Sequence, residues 1–192
     1  WGCMPEDEFV MLEKYPSMSG EFVWTGFDYL GENGPWPARG GDCSFFDFAG
    51  NKTARGHFFE CLWKDIPKTH IVTIPEKESE FRMNPDGSFT YTPRPGWIRR
   101  WEWYDTRDKW NYRKDEDILV QVYTNAPEVE LFLNGKSLGT KERSDFMEHN
   151  IVMWKVAYKE GTLLAVGKDG DIILSKDTLS TSGKPCRLAL NC

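Results

Sequence analysis

The chain has 192 residues, room for one or two domains, and a formal net charge of −6 with both signs mixed along its length. It holds no basic cluster and no apolar run near the ~20 residues of a membrane helix, which argues against nucleic acid and membrane as partners. Nine Trp, seven Tyr and twelve Phe make it rich in aromatics, suited either to filling a β core or to stacking on the C–H faces of sugar rings.

At the start, Pro5 fits the first turn of a helix. Glu6, Asp7 and Glu8 sit at its positive end, Phe9 and Leu12 on its apolar face, and Pro16 stops it. Phe22, Val23 and Trp24 then form an apolar run without polar alternation, the pattern of a strand buried on both faces of a parallel sheet. A loop with Asp28 and Tyr29 follows, then the turn-rich Gly31 to Pro37. Thr53 is placed to cap a second helix running to about Trp63, with Phe58, Phe59, Leu62 and Trp63 on its buried side. Helix, strand, loop and helix make an αβ unit. From position alone, Trp24 reads equally well as a core residue or as a ligand contact.

From Pro67 the texture changes, with Pro67, Pro75, Pro85, Pro93 and Pro95 punctuating short alternating pieces. Residues 67–112 read as a β-rich linker or insertion, in which Asn84-Pro-Asp-Gly87 turns a hairpin. Trp97, Trp101, Trp103 and Trp110 crowd together with Arg99 and Arg100, and interdomain packing is favoured over a sugar-binding surface for them. From Asp117 strand signals are continuous: Ile118 to Tyr123, Val129 to Leu133, an Asn134-Gly135 turn, Asn150 to Tyr158, and Thr162 to Gly167. An Asp169-Gly170 turn then leads to Ile172 to Ser175 and Thr178 to Thr181. Their spacing predicts an immunoglobulin-like sandwich over 113–183, with enough strands there to be complete. Pro185 to Leu190 reads as the opening strand of a further domain or tail over 184–192. Cys3, Cys43, Cys61, Cys186 and Cys192 include no CxxC pair, so no metal site is expected, although Cys186 and Cys192 lie close in sequence.

The run GEFVWTGFDYLGE from Gly20 to Glu32 continues into Trp36-Pro-Ala-Arg39 and Phe45-Phe-Asp47-Phe-Ala-Gly50. Further on come Val120 to Asn125 and Val129 to Gly139. In this order the blocks resemble glycoside hydrolase family 2, the family of β-galactosidases, β-glucuronidases and β-mannosidases, and most of all its bacterial β-galactosidase-like members. The resemblance implies that residues 1–66 are the C-terminal end of a (β/α)8 barrel, strand eight with its flanking helices. The fold class expected is therefore mainly β, an immunoglobulin-like β-sandwich preceded by the last β/α unit of a (β/α)8 barrel. The chain begins at Trp1, without an initiator Met or a signal-peptide pattern, and reads as a segment of a longer protein.

In such barrels ligands meet the loops after the strand ends. The resemblance thus implies Trp24 as part of the wall of a sugar subsite, and Asp28 in its loop, bonding sugar hydroxyls or holding the loop. Retaining β-glycosidases need two carboxyl groups roughly 5–5.5 Å apart. The family's two catalytic glutamates, on strands four and seven, fall outside the matched blocks. Glu21 lies at the wrong end of its strand, and Glu32 sits in a loop without a partner. The expected assignment is no catalytic residue, no metal and no cofactor in this chain. Its expected partners are a β-linked sugar through the parent enzyme, and the remainder of the barrel or another copy of the chain. The resemblance also implies a periplasmic or secreted setting. The alternative is a non-catalytic module that binds carbohydrate or protein.

Overall fold

Period-two alternation in the second half of the chain becomes strand after strand of antiparallel sheet. The computed structural model describes residues 14–20, 22–31, 40, 43–92, 102–146 and 150–184. The expected first helix, Glu21, Glu32, Trp36, Trp97, Arg99, Arg100, Trp101 and the segment with Cys186 and Cys192 lie outside the described residues. Helix α1 spans Ala54–Trp63. The strands are β1 (Thr69–Pro75), β2 (Phe81–Met83), β3 (Phe89–Tyr91), β4 (Asp117–Thr124), β5 (Glu128–Leu133), β6 (Lys136–Glu142), β7 (Val152–Ala157), β8 (Thr162–Asp169) and β9 (Ile172–Ser180).

They form a three-stranded sheet in the order β1-β4-β7, a four-stranded sheet in the order β6-β5-β8-β9, and the separate hairpin β2-β3. Strand β5 alternates half-buried and buried residues, as expected of a strand with one face on the core. Strand β4 is buried from Ile118 to Thr124, because both faces of its sheet are covered. One face meets the four-stranded sheet, closing a core of Ile118, Val120, Val122, Val129, Leu131, Trp154 and Leu163 around Trp110. The opposite face carries Val72, Ile74, Leu119, Tyr123 and Met153, and packs against Phe58, Phe59 and Cys61 of α1 with Trp103, Tyr104 and Phe81. Trp103 and Trp110 are thus interior packing, at 7% and 0% exposure, and present no sugar-binding surface. Strand β1, within the stretch read as a linker, is a full member of the first sheet, so the sandwich draws on residues ahead of 113.

The turns follow their chemistry. Asn134 and Gly135 join β5 to β6 with φ of 51° and 77°, the paired positive values of a type I′ turn. The hairpin predicted around Asn84-Pro-Asp-Gly87 joins β2 to β3, with the Gly87 N–H donating to the Asn84 carbonyl at 3.0 Å.

Three expectations are corrected. Trp63, expected on the buried side of α1, is 51% exposed, because it ends the helix beyond the reach of the sheet that covers Phe58 and Phe59. The last strand is one run, not the two pieces Ile172–Ser175 and Thr178–Thr181. Asp177 does not break it, because it pairs with Ala165 while its carboxylate accepts from the Ile71 N–H at 2.8 Å. Phe22 to Trp24 is not a strand buried on both faces: Phe22 is fully exposed and Trp24 is 59% exposed. A barrel strand needs a neighbour along each edge. Among the described residues Phe22 to Trp24 make no strand pairing, the nearest bridge being Phe27 to Phe46, and of the three only Val23 packs on the second core.

Candidate sugar-binding loop and its support

The loop 22–31 is held by a short ladder to residues 43–46. Thr25 N–H donates to the Cys43 carbonyl at 3.2 Å, Phe45 N–H to Thr25 at 3.0 Å, Phe46 N–H to Gly26 at 3.0 Å and Asp28 N–H to Phe46 at 2.9 Å. The Trp24–Thr25 peptide bond is cis. The Trp24 indole lies edge-on to the Tyr29 ring with centroids 6.0 Å apart, and its N–H donates to the Tyr29 hydroxyl at 3.2 Å. Asp28 is half-buried and accepts from the Tyr29 N–H at 3.0 Å. Its carboxylate also occupies the space that a side chain at Gly40 would need. Trp24 and Asp28 are therefore brought into one loop, with Tyr29 between them. The indole is exposed, and the Asp28 carboxylate lies against the Tyr29 N–H and Gly40.

Support comes from α1. Thr53 caps the helix, its Oγ1 accepting from the Gly56 N–H at 3.1 Å, while the same hydroxyl donates to the Ser44 carbonyl at 2.7 Å. A Cβ on Gly56 would run into the Phe45 carbonyl oxygen, so only glycine allows this approach. Arg55, 5% exposed, donates from Nη1 to the Trp24 carbonyl at 2.8 Å and to the Cys43 carbonyl. Arg55 was not anticipated from the sequence, although a signal exists. A cation and a glycine side by side in the first turn of a helix are both unfavourable there, which points to an outside constraint.

Between α1 and β1, two imidazoles stack. His57 on α1 and His70 on β1 have ring centroids 3.7 Å apart and planes 17° from parallel. His70 Nε2 lies 3.2 Å from Asp108 and Nδ1 lies 3.3 Å from Asp177. Burial opposes the charge on His70, but these two carboxylates prevail and raise its pKa. Burial, then the His70 charge, then Lys68 and Lys52, hold His57 down at about 4. Glu60 resists its partial burial and stays at about 2 through Lys52, Lys64 and Lys68. Burial pushes the Cys61 thiol up to about 12, which leaves it inert as a nucleophile. Among the described residues, no group of three or more His, Cys, Asp or Glu side chains is placed to hold a metal ion.

A concavity of about 690 Å³ lies between the β2-β3 hairpin and the sandwich, lined by Phe89, Tyr91, Lys141, Asp145, Phe146 and Met153 among others. The Lys141 ammonium sits 5.4 Å from the Phe89 ring and 5.3 Å from each of the Phe146 and Trp154 rings, and donates to the Met153 carbonyl at 2.7 Å. Those aromatic faces are taken by the chain's own cation, so they offer no open stacking platform.

Residues 115–174 match a domain of unknown function, DUF4982. Over 99% of its length the chain is 28% identical to β-galactosidase BoGH2A of Bacteroides ovatus, and spans 18% of that protein. A solved glycosyl hydrolase family 2 member from Bacteroides cellulosilyticus superposes with a TM-score of 0.74 at 30% identity, over 96% of this chain and 24% of that one. The chain matches a segment of glycoside hydrolase family 2. The fold extends to β-glucuronidase 3 of Bacteroides uniformis, with a TM-score of 0.56 at 23% identity over 97% of this chain and 21% of that one. The chain spans less than a quarter of each of these family 2 proteins. The loop, α1 and the sandwich fall together inside one stretch of each.

Proposed function

We propose that the chain is the C-terminal part of a retaining family 2 glycoside hydrolase acting on a β-linked sugar, most like a β-galactosidase. In this reading residues 1–66 end the catalytic (β/α)8 barrel, and the sandwich that follows is of immunoglobulin-like type. The observation that carries the reading is the match of almost the whole chain to one stretch of family 2 proteins. The exposed apolar side chains support it: Phe22, Trp24, Phe27, Leu30, Phe48 and Ile66 all stand in solvent ahead of β1. Such surface calls for a cover, and the remainder of a barrel is a cover of the right chemistry. Trp24 then forms part of the wall of the sugar subsite, Asp28 holds the loop that carries it, and both catalytic glutamates lie outside these residues. A β-galactoside is favoured by the match to the Bacteroides ovatus enzyme.

The isolated chain should leave aryl β-galactoside, β-glucuronide and β-mannoside unhydrolysed. Turnover that survives repurification would place the catalytic pair inside the chain and defeat the proposal. In the full-length enzyme, Trp24→Ala should lower kcat/KM about tenfold or more, a loss of about 1.4 kcal/mol of transition-state binding, and Trp24→Phe should cost less. A fall in Tm with kcat/KM unchanged would make Trp24 a packing residue.

A further inference from the structure

We infer that Arg55 is a positioning residue for the Trp24 loop, through which the sandwich core sets the orientation of the sugar-binding face. The inference rests on Trp24 being a sugar contact.

Arg55 stands at the second position of α1, where the positive end of the helix dipole disfavours a cation. Its partners explain why it is there. One guanidinium nitrogen reaches both the Trp24 and the Cys43 carbonyls, the first being the carbonyl of the residue that carries the indole and the second the first rung of the ladder holding the loop. Phe45 and Phe59 rings lie 5.6 and 5.7 Å from its central carbon, flanking a planar group that lysine cannot imitate. With Trp24 carrying an exposed side chain on a short ladder, this clamp fixes the backbone from which the indole projects.

The helix is itself fixed to the sandwich. Phe58 packs on Tyr123 and Trp103, with ring centroids 5.5 and 4.9 Å away, and the Trp103 N–H donates to the Tyr123 hydroxyl at 3.0 Å. Beyond the helix, Asn125 at the end of β4 donates to the Lys64 and Ile66 carbonyls at 2.8 and 2.9 Å and accepts from the Lys68 N–H at 2.8 Å. Packed contacts therefore run without a break from Tyr123 of β4 through Phe58, Phe59 and Arg55 to the Trp24 carbonyl. A side chain that sits outside the sugar subsite thereby controls how the subsite wall is presented.

The test is a double-mutant cycle in the full-length enzyme, reading kcat/KM on an aryl β-galactoside together with Tm. Arg55→Met should lower kcat/KM about tenfold and Arg55→Lys by less. In the Trp24→Ala background Arg55→Met should add little, because the residue it positions is gone. Effects that simply multiply, or an Arg55→Met change confined to Tm, overturn the positioning role and leave Trp24 as a sugar contact. An unaltered kcat/KM in Trp24→Ala alone overturns the reading of Trp24, and this inference with it. Should Arg55→Met fail to fold, Arg55→Lys takes its place in the cycle with the same criteria.

Discussion

Among single residues, the stacked histidines make the sharpest statement about solution behaviour. His70 is raised above its ordinary value of 6.5, so it contributes stability that is full below about 6.5 and is lost as pH rises through its folded value. His57 is depressed to about 4, so between about 6.5 and 4 the unfolded chain takes up a proton that the folded one refuses. Acidification through that window therefore costs stability. Asp177, resisted by burial but stabilised as an anion by His70 and the backbone N–H groups of Ile71 and Thr178, adds a further loss at lower pH. Tm should peak near pH 6.5, and His57→Phe should flatten the decline between pH 6.5 and 4. A profile for His57→Phe that parallels the unaltered chain on the acid side would refute the assignment.

Among elements, α1 carries two local oddities, Arg55 and Gly56, that tertiary contacts resolve. Arg55 and Gly56 weaken the helix as such, and Trp63 is half exposed at its end, yet Phe58 and Phe59 are wholly buried. Tertiary packing rather than propensity holds it. Phe58→Ala should destabilise the chain by about 3–5 kcal/mol, the usual cost of emptying a buried phenylalanine site, whereas Thr53→Ala should cost about 1 kcal/mol through the lost cap. Urea unfolding of the two variants would separate these magnitudes, and equal small losses would mean that α1 is only loosely docked. The β5-β6 hairpin depends on Gly135 in the left-handed region, with open space where a Cβ would go. Gly135→Ala should therefore cost only the backbone penalty of about 1–2 kcal/mol.

At the scale of the whole molecule, the three-stranded sheet is a shared wall. One face belongs to the sandwich core and the other to a second core built with α1 and the Trp103 region. A chain starting at residue 67 would bare Val72, Leu119 and Tyr123 to water. It should show a lower Tm and a stronger tendency to associate than the full 192 residues. Limited proteolysis should spare 54–63 for as long as it spares the sandwich strands, and early cleavage inside α1 would show that the second core opens independently. The edge of the same sheet is closed by exchange between Thr73 and Arg107 and by Asp177 on the Ile71 N–H, which removes a site for strand-to-strand association.

Local chemistry was enough for much of this. The Asn134-Gly135 and Asn84 to Gly87 turns, the Thr53 cap, the alternation of β5 and the two aromatic anchors of α1 were all legible, because each depends on residues within a few positions of one another. The motif run around Trp24 and Asp28 likewise named the family without any coordinates. Three things were decided only by the tertiary structure. Phe22 to Trp24 carries a buried-strand pattern, but burial is supplied by neighbours, and among the described residues only the Val23 side chain finds them, against the second core, while Phe22 and Trp24 stay exposed. Strand β1 earns its place through pairing with β4, more than forty residues away in sequence, a distance over which no periodicity speaks. Arg55 joins Trp24 across 31 positions because a guanidinium needs carbonyl acceptors, and which carbonyls stand within its reach is a property of the folded chain alone.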